Sequence, residues 1–168
     1  MKDLMPNTKE KVYGPEYVTH EVTVAGLVSQ PLVLTTGDLR EMESAEIRDL
    51  TMICGTGRKK EVIESCRGVL LSAILDRAGI ILREHHSPNR IYVTLSSSDG
   101  HWALFSWHEL FNSPVGEQAV VLFEKNNRPL DENEGEISFI SASDGRPGPR
   151  RLRYLQHIGV SELARPEQ

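Results

Sequence analysis

Two stretches of this sequence bring together residue types that can do chemistry. In the first, Cys54 is followed by Gly55-Thr56-Gly57-Arg58-Lys59-Lys60. Cations beside a thiol on permissive backbone favour the thiolate, the form that attacks electrophiles and ligates metals. Thiolate is also a soft donor suited to a redox metal. The commoner role for such a cysteine is a small apolar residue closing a buried strand. The second stretch runs from Ser143 through Asp144-Gly145-Arg146-Pro147-Gly148-Pro149 to Arg150-Arg151-Leu152-Arg153. Its glycines and prolines specify a loop, and its four arginines offer forks for phosphate or carboxylate. Backbone N–H groups around Gly145 and Gly148 add a nest for an anion. A solvated basic loop is the alternative.

The six histidines say less. His85 and His86 fall in a polar connection before Pro88, and His20, His108 and His157 read as structural. His101 differs, because it follows the Asp99-Gly100 turn at a hairpin tip where a ligand could be met. A thiol enzyme with Cys54 as nucleophile would need a histidine base, and no spacing pairs one with it. CxxC, HExxH, P-loop, GxGxxG and GxSxG patterns do not occur.

The positioning elements follow from periodicity. Strands are expected over 17–24 and 31–34, turning at Gly26, then a short helix from Thr36 through Met42. Residues 46–53 read as a strand that stops at the glycines after Cys54. Leu70, Leu71, Ile74, Leu75 and Ala78 have helical spacing, with Gly79 at the C′ position. Ile91, Val93 and Leu95 alternate as a strand that returns through Trp102 and Leu104. Ser106 to Glu109 fits a capping box. Further strands are expected at 119–123, 136–140 and up to Val160. Short strands that do not alternate regularly with helices favour α+β over a doubly wound sheet.

The 168 residues suffice for one domain with a proper core, at 39% hydrophobic and 26% charged. We expect a polar N-terminal arm over 1–16, the domain over 17–163 and a tail over 164–168. The net charge of -5 gives no basic face for nucleic acid or an anionic membrane. Two cysteines are too few for a disulfide framework. No apolar run near the N-terminus reads as a leader or span, so the chain is expected to be cytoplasmic as written, or periplasmic if a leader was removed.

Taken in order, these residues resemble the oxidoreductase molybdopterin-binding family of sulfite-oxidase type. The resemblance runs from about Val22 to Val160. It is carried by Val24-Ala25-Gly26-Leu27-Val28 with Pro31 and Leu34-Thr35-Thr36-Gly37-Asp38-Leu39, by Cys54, and by Arg67 to Leu71 with Ile74 to Gly79. Asp99-Gly100-His101 stands where the family usually has Asp-Gly-Tyr. Arg128-Pro129-Leu130 near Gly135 and the segment Gly148 to Tyr154 complete the series. The resemblance implies mixed β-sheets with short helices around a pterin cleft, holding molybdopterin or the molybdenum cofactor. It makes Cys54 the metal ligand and catalytic residue, with Arg150 and Arg153 on the pterin phosphate. Gly55, Arg58, Asp99, Gly100, His101 and Asp144 would line the cleft. It implies two-electron oxygen-atom transfer on a small-molecule substrate, with a redox partner protein. The alternative is a non-catalytic sensor that binds a free pterin without metal. The sequence departs from the family in having Cys66 where an aromatic is usual. No dimerisation domain is expected to follow, and residues 1–20 are expected to lack the His- or aromatic-bearing segment that walls the pocket of larger members.

Overall fold

A computed structural model describes residues 13–167. Two five-stranded sheets form its layers. The first uses β1 (Glu21–Gly26), β2 (Leu32–Thr35), β5 (Ile91–Ser97), β6 (Trp102–Ser106) and β10 (Leu155–Glu162), in the order β2-β1-β10-β5-β6. Only β1 and β10 run parallel in it. The second uses β3 (Ala45–Ile53), β4 (Lys59–Leu70), β7 (Ala119–Lys125) and β8 (Arg128–Pro129) in that order, with β9 (Ser138–Ser141) also pairing with β7. Three short helices fill the connections: α1 (Thr36–Glu41), α2 (Leu71–Ala78) and α3 (Trp107–Phe111). The expected α+β class with mixed sheets is what the chain adopts.

Alternation builds the core. Val22 and Val24 on β1, Val93 and Leu95 on β5, and Ile158 and Val160 on β10 all point inward. They meet Val121 and Phe123 of β7, and Leu71, Ile74, Leu75 and Ala78 of α2, in one cluster. Phe105 and Phe139 bridge the layers edge to face, with ring centroids 5.5 Å apart. A smaller cluster of Met52, Ile63, Cys66, Val120, Leu122 and Ile140 lies on the other side of the second sheet. Strand β7 therefore loses the period-two pattern: both of its faces are covered, so it reads as a continuous apolar run.

Several boundaries moved. Residues 17–20 are not strand; Pro15–Tyr17 makes a single 3-10 turn with the proline at its start. Helix α1 starts at Thr36, as expected, and is capped by Thr35. The Thr35 hydroxyl accepts from the Asp38 N–H at 3.2 Å, and the Asp38 carboxylate accepts from the Thr35 N–H at 2.9 Å. The larger miss is β4, the longest strand, which sequence reading leaves unassigned. Its charged residues Lys59, Lys60, Glu64 and Arg67 are exposed and hide the alternation of its buried side. Gly68 interrupts the pattern for a packing reason: a Cβ there would lie 2.0 Å from the Val121 carbonyl oxygen.

Most of the N-terminal arm lies outside the described residues. The part that is described, from Tyr13, is attached to the domain. The Gly14 N–H donates to the Tyr154 hydroxyl at 3.2 Å, and Arg153 lies 4.5 Å from the centre of the Tyr13 ring. The Tyr17 and Tyr154 rings are 5.8 Å apart. The N-terminal segment thus does bring aromatic rings, against Arg153 and Tyr154.

Candidate functional site

Strands β3 and β4 form a hairpin, and Cys54 stands at its shoulder. The Cys54 N–H donates to the Arg58 carbonyl at 2.9 Å, and the Gly57 N–H donates to the Cys54 carbonyl at 2.8 Å. This leaves Gly55-Thr56-Gly57 as the loop, with Gly57 at a φ of 87°, the left-handed position that such loops give to glycine. The glycines do not end the ladder, as expected from sequence; they turn it back. Cys54 is half-buried, with its Sγ 2.9 Å from the Thr56 hydroxyl. That hydroxyl does most to bring the thiol down to about 7; burial opposes it, and the N–H groups of Thr56 and Arg58 and the charge of Lys60 add to the lowering. Cys66 behaves oppositely, because burial in the second cluster pushes it up to about 11. Iodoacetamide should therefore label Cys54 of the native, metal-free protein with a half-maximal rate near pH 7, while Cys66 stays unlabelled. Thr56→Ala should move that midpoint upward. A midpoint unmoved by the change, read by mass spectrometry, would show that the hydroxyl does not govern the thiol.

The closing loop meets this tip. The Gly148 N–H donates to the Ile53 carbonyl at 2.8 Å, and Arg146 Nη1 donates to the Gly55 carbonyl. A Cβ at Gly148 would stand 2.6 Å from the Ile53 oxygen and 3.1 Å from Cys54 Cα, so only glycine allows the approach. The two stretches with chemical residue types are thus one place. Arg58, Lys59, Lys60 and Arg146 fringe it, all exposed and none ion-paired to an acidic side chain among the described residues.

The remaining loop arginines are engaged inside the protein. Arg150 makes a bidentate pair with Asp144, at 2.8 and 2.7 Å, and its Nη1 reaches Glu109 at 3.0 Å and the Leu104 carbonyl at 3.1 Å. Its guanidinium also lies 3.9 Å from the centre of the Phe105 ring. Asp144 in turn accepts from the Ser141 hydroxyl at 2.8 Å. Arg151 pairs with Glu61 and Glu134, and Arg153 donates to the Asn133 carbonyl at 3.1 Å. The expectation that Arg150 and Arg153 present their forks to a phosphate stays an expectation; the structure shows which partners the two side chains have within the chain. Arg150 has its donors committed to Asp144, Glu109 and Leu104, and Asp144 is its counter-ion. Composition showed the charges of this loop but not their partners, which include Leu104 of β6, Glu109 of α3 and Glu61 of β4.

The Asp99-Gly100-His101 turn joins β5 to β6, as expected, with Gly100 at a φ of 89°. The His101 N–H donates to Asp99 Oδ1 at 3.2 Å, and its ring Nδ1 lies 3.2 Å from the same oxygen. The Ser98 N–H donates to the Tyr154 carbonyl at 3.0 Å. The closing segment therefore runs from the Cys54 tip at Gly148, past β6 at Arg150, to this turn at Tyr154. No hydrogen bond links Cys54 directly to Asp99 or His101. Just before the turn, the Ser97 hydroxyl is buried without a partner.

The description "Oxidoreductase molybdopterin binding domain" matches residues 9–162, nearly all of the chain. The chain belongs to that family. Among solved structures it is similar to the sulfane dehydrogenase SoxCD from Paracoccus pantotrophus, with a TM-score of 0.65 at 16% identity. The match covers 84% of this chain and 38% of that one, so this chain spans well under half of its neighbour's length. At that identity the likeness is one of fold. No curated protein sequence matches the chain.

The residues at the tip fit the family's cofactor in one respect. Cys54 offers one soft, readily ionised thiol on an accessible hairpin shoulder, and no cluster of three or more His, Cys, Asp or Glu stands ready to hold a metal among the described residues. A metal here would take one protein thiolate and its other donors from the cofactor. Two open surface concavities lie elsewhere, about 430 Å³ around Phe111 to Pro114 and about 420 Å³ around Lys125 to Asp131. Neither contains a residue expected at the site. No helix among the described residues is long and apolar enough to cross a membrane.

Proposed function

We propose that this family member holds the molybdenum cofactor and carries out two-electron oxygen-atom transfer on a small molecule. The observation that supports it best is Cys54: a thiol brought to about 7, on the shoulder of a hairpin fringed by unpaired cations. A metal-free pterin binder has no use for an ionised thiol, and for that reason we prefer the enzyme.

When bound, the cofactor supplies the two-electron chemistry. The chain's own residues do the rest. Cys54 would present its thiolate to the metal, with the Thr56 hydroxyl and the N–H groups of the tip steadying the negative sulfur. Arg58, Lys59 and Lys60 draw in anionic groups, the pterin phosphate first, by charge-assisted contacts. Asp99, Gly100 and His101, at the other end of the closing segment, would supply a second wall. A redox partner protein would take up or deliver the electrons.

Metal analysis tests the proposal directly. Protein purified from a host that makes the cofactor should contain molybdenum near one per chain. Its denatured extract should show an equal amount of fluorescent pterin. Pterin without molybdenum would move the protein to the sensor reading, and neither one would remove both.

A further inference from the structure

Arg146 is only one of four loop arginines in the sequence, and its position gives it a separate job. Its Nη1 donates to the Gly55 carbonyl, and its Nη2 lies 3.6 Å from where a Cβ would stand on Gly57. Two residues further on, the Gly148 N–H holds the Ile53 carbonyl at 2.8 Å. The closing loop therefore grips the carbonyls immediately before and immediately after Cys54. A three-residue tip with two glycines would otherwise have large backbone freedom, since glycine has the most to lose on being ordered. Pinning both flanking carbonyls removes that freedom at the one residue with an accessible thiol.

We propose that Arg146 is a positioning residue: through the Gly55 carbonyl, with Gly148 as the second anchor, it fixes where Cys54 presents its sulfur to the cofactor's metal. The metal rests on the function proposed above; the clamp is a property of the chain alone. The planar fork matters because it reaches Gly55 while covering Gly57, which a single ammonium cannot do.

Arg146 is exposed and away from both core clusters, so Arg146→Ala should fold. In cofactor-free protein, amide hydrogen exchange at Cys54, Gly57 and Gly148 should become about tenfold faster, the scale of losing one charge-assisted hydrogen bond. Exchange at Val93 and Ile158 in the core should not change, and Arg146→Lys should restore the tip only in part. In loaded protein, Arg146→Ala should lower molybdenum per pterin at normal pterin content. In a Cys54→Ser background the same change should add nothing. Wild-type exchange rates at the tip would show that no clamp exists. Faster exchange with an unchanged molybdenum-to-pterin ratio would show that the clamp does not position the sulfur. An equal loss in the Cys54→Ser background, or a loss of pterin itself, would show that Arg146 acts on the pterin by charge. Wild-type protein without molybdenum would overturn the functional reading and the metal half of this inference with it, while the exchange rates would still decide the clamp.

Discussion

Arg150→Ala should lower the stability of the cofactor-free protein by about 3 kcal/mol, within the range for breaking one side of a largely buried ion pair. The reason is what the change leaves behind. Asp144 has a side chain only 13% exposed and would lose both bonds of its bidentate pair. The Leu104 carbonyl on the edge of β6 would lose its donor, and the Phe105 ring its cationic cover. Glu109 contributes less, since at 37% side-chain exposure water can replace the lost partner. For a chain of this length each kcal/mol moves the melting midpoint by about 2–4 °C, so a drop of roughly 6–12 °C is expected. Asp144→Ala in the same background should cost much less than it does alone, because the two residues act as a unit. The alternative, that Arg150 serves mainly as a phosphate ligand, predicts the reverse pattern: a near-normal melt and a large loss of affinity for phosphorylated pterin. Thermal melts of the four proteins in this cycle separate the two.

Arg150 also illustrates what a sequence can and cannot show. The loop's charges, its glycines and its place in an ordered series were all legible, and the family and fold class followed from them. So did α2, the Asp99-Gly100 hairpin and the Ser106–Glu109 capping box, because each rests on local chemistry within a few residues. The partners of the loop were not fully legible: Asp144 lies in the loop itself, but Glu109 reaches Arg150 from α3 and the Leu104 carbonyl from β6. Strand β4 was hidden for a related reason. Its exposed Lys59, Lys60, Glu64 and Arg67 are those of an outer hairpin arm, and Gly68 occupies an inward position only because the Val121 backbone passes there. Cys54 was found from its neighbours in sequence. Its contact with Thr56 was two residues away and could be guessed, whereas the grip of Arg146 and Gly148 spans more than ninety residues of chain and could not.

Cys54→Ser should abolish oxygen-atom transfer while leaving fold and pterin in place. Thiolate is a soft donor that ionises near neutrality here, whereas a serine hydroxyl is harder and stays protonated at the same pH. The loss should exceed the roughly 10–100-fold that removing an outer-shell partner of a metal site costs, because a direct donor is removed. Stability should change by no more than about 1 kcal/mol, since the side chain is half-buried at a loop and the new hydroxyl can still meet Thr56. The control must be chosen with the structure in view. Cys66→Ser would bury a hydroxyl in an apolar cluster at about 1–3 kcal/mol. Cys66→Ala is the better comparison, and it should leave turnover per bound molybdenum unchanged. The measurements are molybdenum and pterin content, thermal melting, and turnover of small oxygen-atom donors and acceptors with a dye as electron carrier. If the protein is a metal-free pterin binder instead, Cys54→Ser should leave pterin affinity within about 1 kcal/mol and there should be no molybdenum to lose. Full molybdenum loading with unchanged turnover in Cys54→Ser would show that this sulfur is not the ligand, whatever its ionisation, and the assignment of the hairpin tip as the reacting centre would fall with it.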